Sequence, residues 1–82
     1  MRLPRDLSGN DLAARLRKLG YEQTRQTGSH LRLTRQSEGT EHHVTVPRHE
    51  ALRVGTLSAI LGDVASHLEI DRDELASELF VR

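Results

Sequence analysis

The chain has 82 residues, with twelve basic and twelve acidic side chains and no cysteine. A fold of this size has one thin core with little room for an enclosed pocket, so an active site is expected on an open surface, and disulfides, thiolate nucleophiles and cysteine-based zinc sites are excluded. No apolar run approaches the ~20 residues of a membrane span, and Met1-Arg2-Leu3-Pro4-Arg5-Asp6 lacks the apolar region of a signal peptide, so a cytoplasmic protein without membrane contact is expected.

One domain is expected over residues 1–82, residues 1–7 being an N-terminal extension and residues 71–82 an added terminal helix. Ser8 precedes a stripe of Leu12, Leu16 and Leu19, Asp11 stands three positions after Ser8 as in a capping box, and Gly20 follows the last apolar position. A helix over residues 9–19 follows from that pattern. Residues 21–26 alternate weakly, and Thr27-Gly28 turns the chain into Ser29-His30-Leu31-Arg32-Leu33-Thr34-Arg35. Period-2 alternation there predicts a half-buried strand with Leu31 and Leu33 inward and His30, Arg32 and Thr34 projecting into water. Residues 36–40 form a second turn, and residues 41–46 a third strand with Val44 and Val46 inward and His43 and Thr45 outward, ended by Pro47.

Residues 48–55 have no clean period and read as a loop. Thr56 is expected to cap the main core helix, whose apolar positions Leu57, Ile60, Leu61, Val64 and Leu68 recur at three- and four-residue steps. Asp71 with Glu74 suggests another capping box before a short last helix that buries Leu75, Leu79 and Phe80. The result is an α+β fold of order αβββα plus a short extra C-terminal helix. Its three-stranded antiparallel sheet has helices on one face and leaves the other free for solvent or a ligand.

The zero net charge hides an asymmetry. Residues 1–35 carry eight basic side chains against three acidic ones, and the remainder four against nine. A basic first half suits a polyanionic partner. On the free sheet face an imidazole that can take up or give a proton and a guanidinium that forks onto phosphate oxygens stand side by side, at His30 and Arg32, a pair suited to phosphodiester chemistry. His42 and His43 are adjacent on a strand, so they point to opposite faces and cannot readily chelate one ion; no metal site and no cofactor is expected. His43 or His49 is a candidate second proton carrier. His67 reads as a packing residue beside the buried stripe of its helix, and Asp71, Asp73 and Glu74 suit a helix start rather than a paired-carboxylate site.

Five segments in order carry a resemblance. They are Ser8-Gly9 before the leucine-striped helix, Leu19-Gly20-Tyr21 closing it, Arg25-Gln26-Thr27-Gly28-Ser29-His30, Val44-Thr45-Val46-Pro47-Arg48-His49, and Gly55-Thr56-Leu57 with Ile60-Leu61. Together, over residues 7–61, they resemble HicA-type toxins. The resemblance implies a fold like that of double-stranded-RNA-binding domains, endoribonuclease action on mRNA as an mRNA interferase, and a cognate HicB-type antitoxin, with the histidine of the glycine-serine-histidine motif, here His30, as the catalytic one. The chain departs from the family's usual lysines after the proline-arginine-histidine motif, having Glu50 and Ala51 there, and its last helix carries no family motif.

The residues support a scheme of their own. RNA carries its nucleophile, the 2′-hydroxyl, so cleavage needs a base, positive charge on the phosphate and an acid, with no metal. His30 is expected to move the proton, with Arg25, Arg32 and Arg48 as electrostatic partners and Gly28, Ser29 and His49 completing the RNA contact. A HicB-type partner is expected to mask the His30 face. A non-catalytic RNA-binding module and a protein-interaction domain are the alternatives.

Overall fold

The computed structural model describes residues 3–80. Its elements follow in the order α1 (Gly9–Arg17), β1 (Glu22–Thr27), β2 (His30–Ser37), β3 (Thr40–Pro47), α2 (Val54–Leu68) and α3 (Arg72–Phe80). This is the expected αβββα arrangement with its extra C-terminal helix.

Local chemistry sets the start of α1. Ser8, in extended backbone, accepts from the Asp11 N–H at 3.0 Å through its hydroxyl, and the Asp11 carboxylate accepts from the Ser8 N–H at 3.5 Å. The reciprocal pair satisfies two of the donors that a helix start leaves over. The end of α1 comes earlier than the leucine stripe suggests, at Arg17 rather than Leu19. Lys18, Leu19 and Gly20 each donate to the carbonyl three residues back, and Tyr21 N–H closes onto Leu16 O at 3.2 Å. Gly20 at φ +96° makes that reversal possible without a Cβ penalty.

The sheet has order β1-β2-β3 and is antiparallel throughout. β2 pairs His30 with Pro47, Arg32 with Thr45 and Thr34 with His43 on one side, and Thr27 with His30 and Arg25 with Arg32 on the other. Thr24 is the extra residue of a bulge between Gln23 and Arg25. All six residues of β1 are exposed, which makes it a polar edge strand.

Leu31, Leu33, Val44 and Val46 are buried as the alternation requires, and they meet Leu12 and Leu16 of α1, Leu57, Leu61 and Val64 of α2, and Leu75 of α3. A fully buried leucine or valine contributes about 1.5–3 kcal/mol, so this layer holds the helices to one sheet face. The start of α2 corrects the sequence reading. The helix opens at Val54, with Arg53 as N-cap in extended backbone and its carbonyl accepting from Leu57 N–H at 2.9 Å, so Thr56 lies inside the first turn. No side chain caps Arg53's end of the helix, and this is why composition points three residues downstream, to Thr56.

In α3, Leu75, Ala76 and Leu79 are buried and Phe80 packs against the core. Arg15 of α1 donates to the Leu79 carbonyl at 2.7 Å and lies 5.5 Å from the centre of the Phe80 ring. The acidic helix therefore closes the core. Residues 81–82, the end of the expected terminal helix, lie outside the described residues. Among the described residues no helix is long and apolar enough to cross a membrane.

Candidate nucleic-acid interface

A two-residue loop, Gly28-Ser29, joins β1 to β2, and Gly28 sits at φ +58°, where glycine is unstrained. His30 is the first residue of β2, exposed on the face away from the helices, between Thr27 and Pro47. Two residues further on the same face, about 7 Å along the strand, Arg32 stands between Arg25 and Thr45.

The loop after β3 is tied to this end of the sheet through backbone bonds. Arg48 N–H donates to Ser29 O at 2.6 Å, and Gly9 N–H of α1 donates to His49 O at 2.9 Å. Thus Gly28, Ser29, His30, Arg48 and His49 gather at one rim, with Arg25 and Arg32 in the next row. All seven are exposed.

The arginines divide into two groups. Arg15 and Arg35 serve the helix side, Arg35 donating to the Leu19 carbonyl at 2.8 Å, and Arg72 holds the Ser58 hydroxyl at 2.8 Å. Arg25, Arg32 and Arg48 make no side-chain hydrogen bond or ion pair among the described residues. Arg25 and Arg32 moreover face each other across two strands, an arrangement that costs about 0.2–1 kcal/mol until an anion neutralises it. The basic first half therefore does not act as a block. Arg25 and Arg32 reach the open face, Arg15 and Arg35 do not, and Arg2 lies outside the described residues.

Two expectations about the outer face need correction. Thr34 projects from the outer face but is 9 % exposed rather than free in water, because Thr24 and His43 cover it. His43 does share the face with His30, yet it pairs with Thr34, four residues along β2 and about 13 Å from the His30 row. Its ring is engaged, with Nδ1 2.8 Å from Thr34 Oγ1 and Nε2 3.3 Å from Glu41 Oε1. His49, at the same rim as His30, is the better placed second imidazole.

His42 points the other way, as strand parity requires. Its Nδ1 lies 2.7 Å from the Tyr21 hydroxyl, its Nε2 lies 3.2 Å from Asp63, and its ring stacks on His67 at 4.3 Å with 9° between planes. Burial pushes the Tyr21 phenol up to about 12, with Arg35 opposing and Asp63 adding to the shift. Arg35 Nη1 lies 3.4 Å from His67 Nε2, and because a guanidinium only donates, that nitrogen must be unprotonated. Desolvation, then the neighbouring His42 and Arg35, lower the His67 pKa, and Asp63 partly offsets them. The packing role read for His67 is seen, but the stack with His42 depends on where α2 crosses β3 and has no local signature.

A pH dependence follows from this cluster. The folded-state pKa of His67 lies below its unfolded value, so below about pH 6.5 the unfolded chain binds the proton more readily. Stability should be full above that pH and decline as pH falls toward the folded value. Urea midpoints measured from pH 7.5 to 5 should fall in the wild type, and His67→Gln should flatten the lower part of that curve. An unchanged slope in the variant would remove His67 as the cause.

Among the described residues no group of three or more metal-ligating side chains is gathered. The His30 rim is open, while a concavity lies further along the same face, lined by Gly20, Glu22, Thr24, Thr34 and Gln36.

Comparison with known proteins gives one result. The family model described as the HicA toxin of bacterial toxin-antitoxin systems matches residues 9–65, from the start of α1 into α2. No curated protein matches the chain, and no solved structure does.

Proposed function

The chain belongs to the HicA toxin family, and from that premise we propose that it is a metal-independent endoribonuclease that cleaves mRNA at the His30 rim. The observation that carries the reading is the set of three exposed arginines, Arg25, Arg32 and Arg48, without acidic partners among the described residues, beside an exposed imidazole. Exposed arginines on a sheet face gain little by themselves, but each can fork onto a phosphate. The gathered rim also includes the motif residues Gly28, Ser29 and His49, which supports their assignment to RNA contact.

In this mechanism the 2′-oxygen loses its proton to a base, forms a bond to the adjacent phosphorus, and the bond from phosphorus to the 5′-oxygen breaks as that oxygen takes up a proton. The products are a 2′,3′-cyclic phosphate and a 5′-hydroxyl. His30 holds one of the two proton-transfer roles, and His49 or water takes the other. Arg32, one row away, with Arg25 and Arg48, offsets the charge that gathers on the phosphoryl oxygens. The Ser29 hydroxyl or a backbone N–H of the Gly28-Ser29 loop is the hydrogen-bond donor of this scheme.

Neutralisation by a HicB-type antitoxin belongs to the same reading, with the antitoxin covering the His30 face. The site is shallow and open, so a partner need only exclude RNA from it. The cytoplasm, where mRNA is met, is the matching location.

The test is incubation of the purified full chain with mRNA in excess chelator, followed by analysis of the ends. Cleavage that persists and leaves cyclic phosphates is expected. RNA bound in a salt-dependent way yet intact after long incubation would leave a binding module instead, and no RNA binding even at low salt would leave a protein-interaction domain.

A further inference from the structure

Resting on the nuclease reading, we propose that the concavity lined by Gly20, Glu22, Thr24, Thr34 and Gln36 is a base-recognition subsite that accepts a nucleobase bearing an amino group and disfavours uracil. It lies on the same sheet face as His30. Thr34 is four residues along β2, about 13 Å away, and the Arg25–Arg32 row stands between the two. A single strand with its scissile phosphate at His30 crosses the arginines and brings a nearby base over this concavity.

The volume, about 320 Å³, is at the small end of ligand sites. Its floor is fixed by hydrogen bonds that run across all three strands. Thr24 Oγ1 and Thr34 Oγ1 are 2.8 Å apart, Thr34 Oγ1 and His43 Nδ1 are 2.8 Å apart, and His43 Nε2 is 3.3 Å from Glu41 Oε1. Gln36 Nε2 donates to the other Glu41 oxygen at 2.7 Å. The two hydroxyls are engaged with each other and with His43, and the Glu41 carboxylate with His43 and Gln36, so the lining acceptors without a partner among the described residues are the carboxylate of Glu22 and Oε1 of Gln36. Glu22, the cross-strand partner of Thr34, is exposed and has no side-chain partner among the described residues.

This polarity dictates what can enter. A carboxylate repels phosphate, so the RNA backbone stays on the arginine row and only a base edge reaches Glu22. Two acceptors require donors, which the amino groups of adenine, cytosine and guanine supply; guanine adds an adjacent ring N–H. Uracil presents a lone N–H flanked by two carbonyl oxygens, which face the carboxylate unfavourably. No tyrosine or phenylalanine is available for stacking on this face, because the sequence has one of each and Tyr21 and Phe80 both pack on the helix side, and the His43 ring is held by Thr34 and Glu41. Discrimination therefore falls to the base edge.

The experiment compares cut sites on a degenerate RNA for wild type and Glu22→Gln. In parallel it measures binding of short oligonucleotides, varied at one position, by His30→Ala and by the double variant. Wild type should disfavour uracil at one fixed distance from the cut by roughly 5- to 100-fold, and Glu22→Gln should erase that bias. A bias that Glu22→Gln leaves unchanged overturns the subsite while the nuclease reading stands. So does a uniform gain in affinity for all four bases, which is a charge effect alone. Absence of cleavage together with a Glu22-dependent base preference in binding keeps the subsite and removes the nuclease reading, and absence of binding removes both.

Discussion

His30→Ala should lower the rate of RNA cleavage by roughly 10²- to 10⁴-fold, the usual worth of a positioned acid or base, and leave the fold intact. The second half of that expectation follows from position. His30 is exposed at the first position of β2 and makes no side-chain hydrogen bond among the described residues, so its truncation removes no packing and orphans no partner. Surface changes of this kind usually stay within about 0.5 kcal/mol. Arg32→Ala separates chemistry from binding. It should weaken RNA affinity across sequences and reduce the slope of log affinity against log salt by about 1, whereas His30→Ala should leave that slope almost unchanged at a pH where the imidazole is neutral. Equal cleavage by His30→Ala and wild type, with both proteins folded, would take His30 out of the reaction.

What could be read before the structure was what is encoded locally. The Ser8–Asp11 capping box, the inward Leu31, Leu33, Val44 and Val46, and the glycine stop at Gly20 all depend on neighbours within a few positions, and each is found. The end of α1 was misplaced by two residues because Leu19 still packs against the core from a tightened turn, so the apolar stripe outlasts the helix. The start of α2 was missed because Arg53 uses only its backbone carbonyl, which has no residue signature.

The candidate site was legible in its residues but not in its assembly. The two-residue loop alone sets Arg25 opposite Arg32, but that Glu22 faces Thr34 depends on the bulge at Thr24, which shifts the start of β1 by one residue against β2. A sequence period cannot reveal that shift, because one inserted residue reverses the parity of everything before it. Thr34 looked solvated because alternation assigns a face and says nothing of what covers it; Thr24 and His43 arrive from both neighbouring strands. The join of Arg48 and His49 to the Gly28-Ser29 loop and to Gly9 is likewise a backbone contact between distant segments.

That join makes Gly9 the residue on which the rim depends, and Gly9→Ala should be the most damaging small substitution in the chain. A Cβ at this position would stand 2.0 Å from the carbonyl oxygen of Pro47 and 3.0 Å from Cα of Arg48, and both obstacles are backbone, which has no rotamer to yield. Overpacking of this kind costs about 1–3 kcal/mol and occasionally more. Alanine recovers up to about 1 kcal/mol of helix propensity over glycine, so the steric term wins, and a net loss near 2 kcal/mol is expected. In a domain of this length that is a fall in melting temperature of roughly 8–16 °C. Gly62, inside α2, provides the control, because an added Cβ there meets nothing within 4 Å. Gly62→Ala should therefore raise stability by about 0.5–1 kcal/mol, opposite in sign to the same chemical change at Gly9. Below its melting temperature, Gly9→Ala should also lose cleavage beyond the unfolded fraction, since moving Pro47 away from α1 shifts Arg48 relative to Ser29 and His30. Thermal unfolding followed by circular dichroism, with single-turnover cleavage at 15 °C below the midpoint, measures both effects. A Gly9→Ala protein that melts with the wild type would mean that α1 does not approach Pro47 closely, and the rim would lose the contact that positions its arginine.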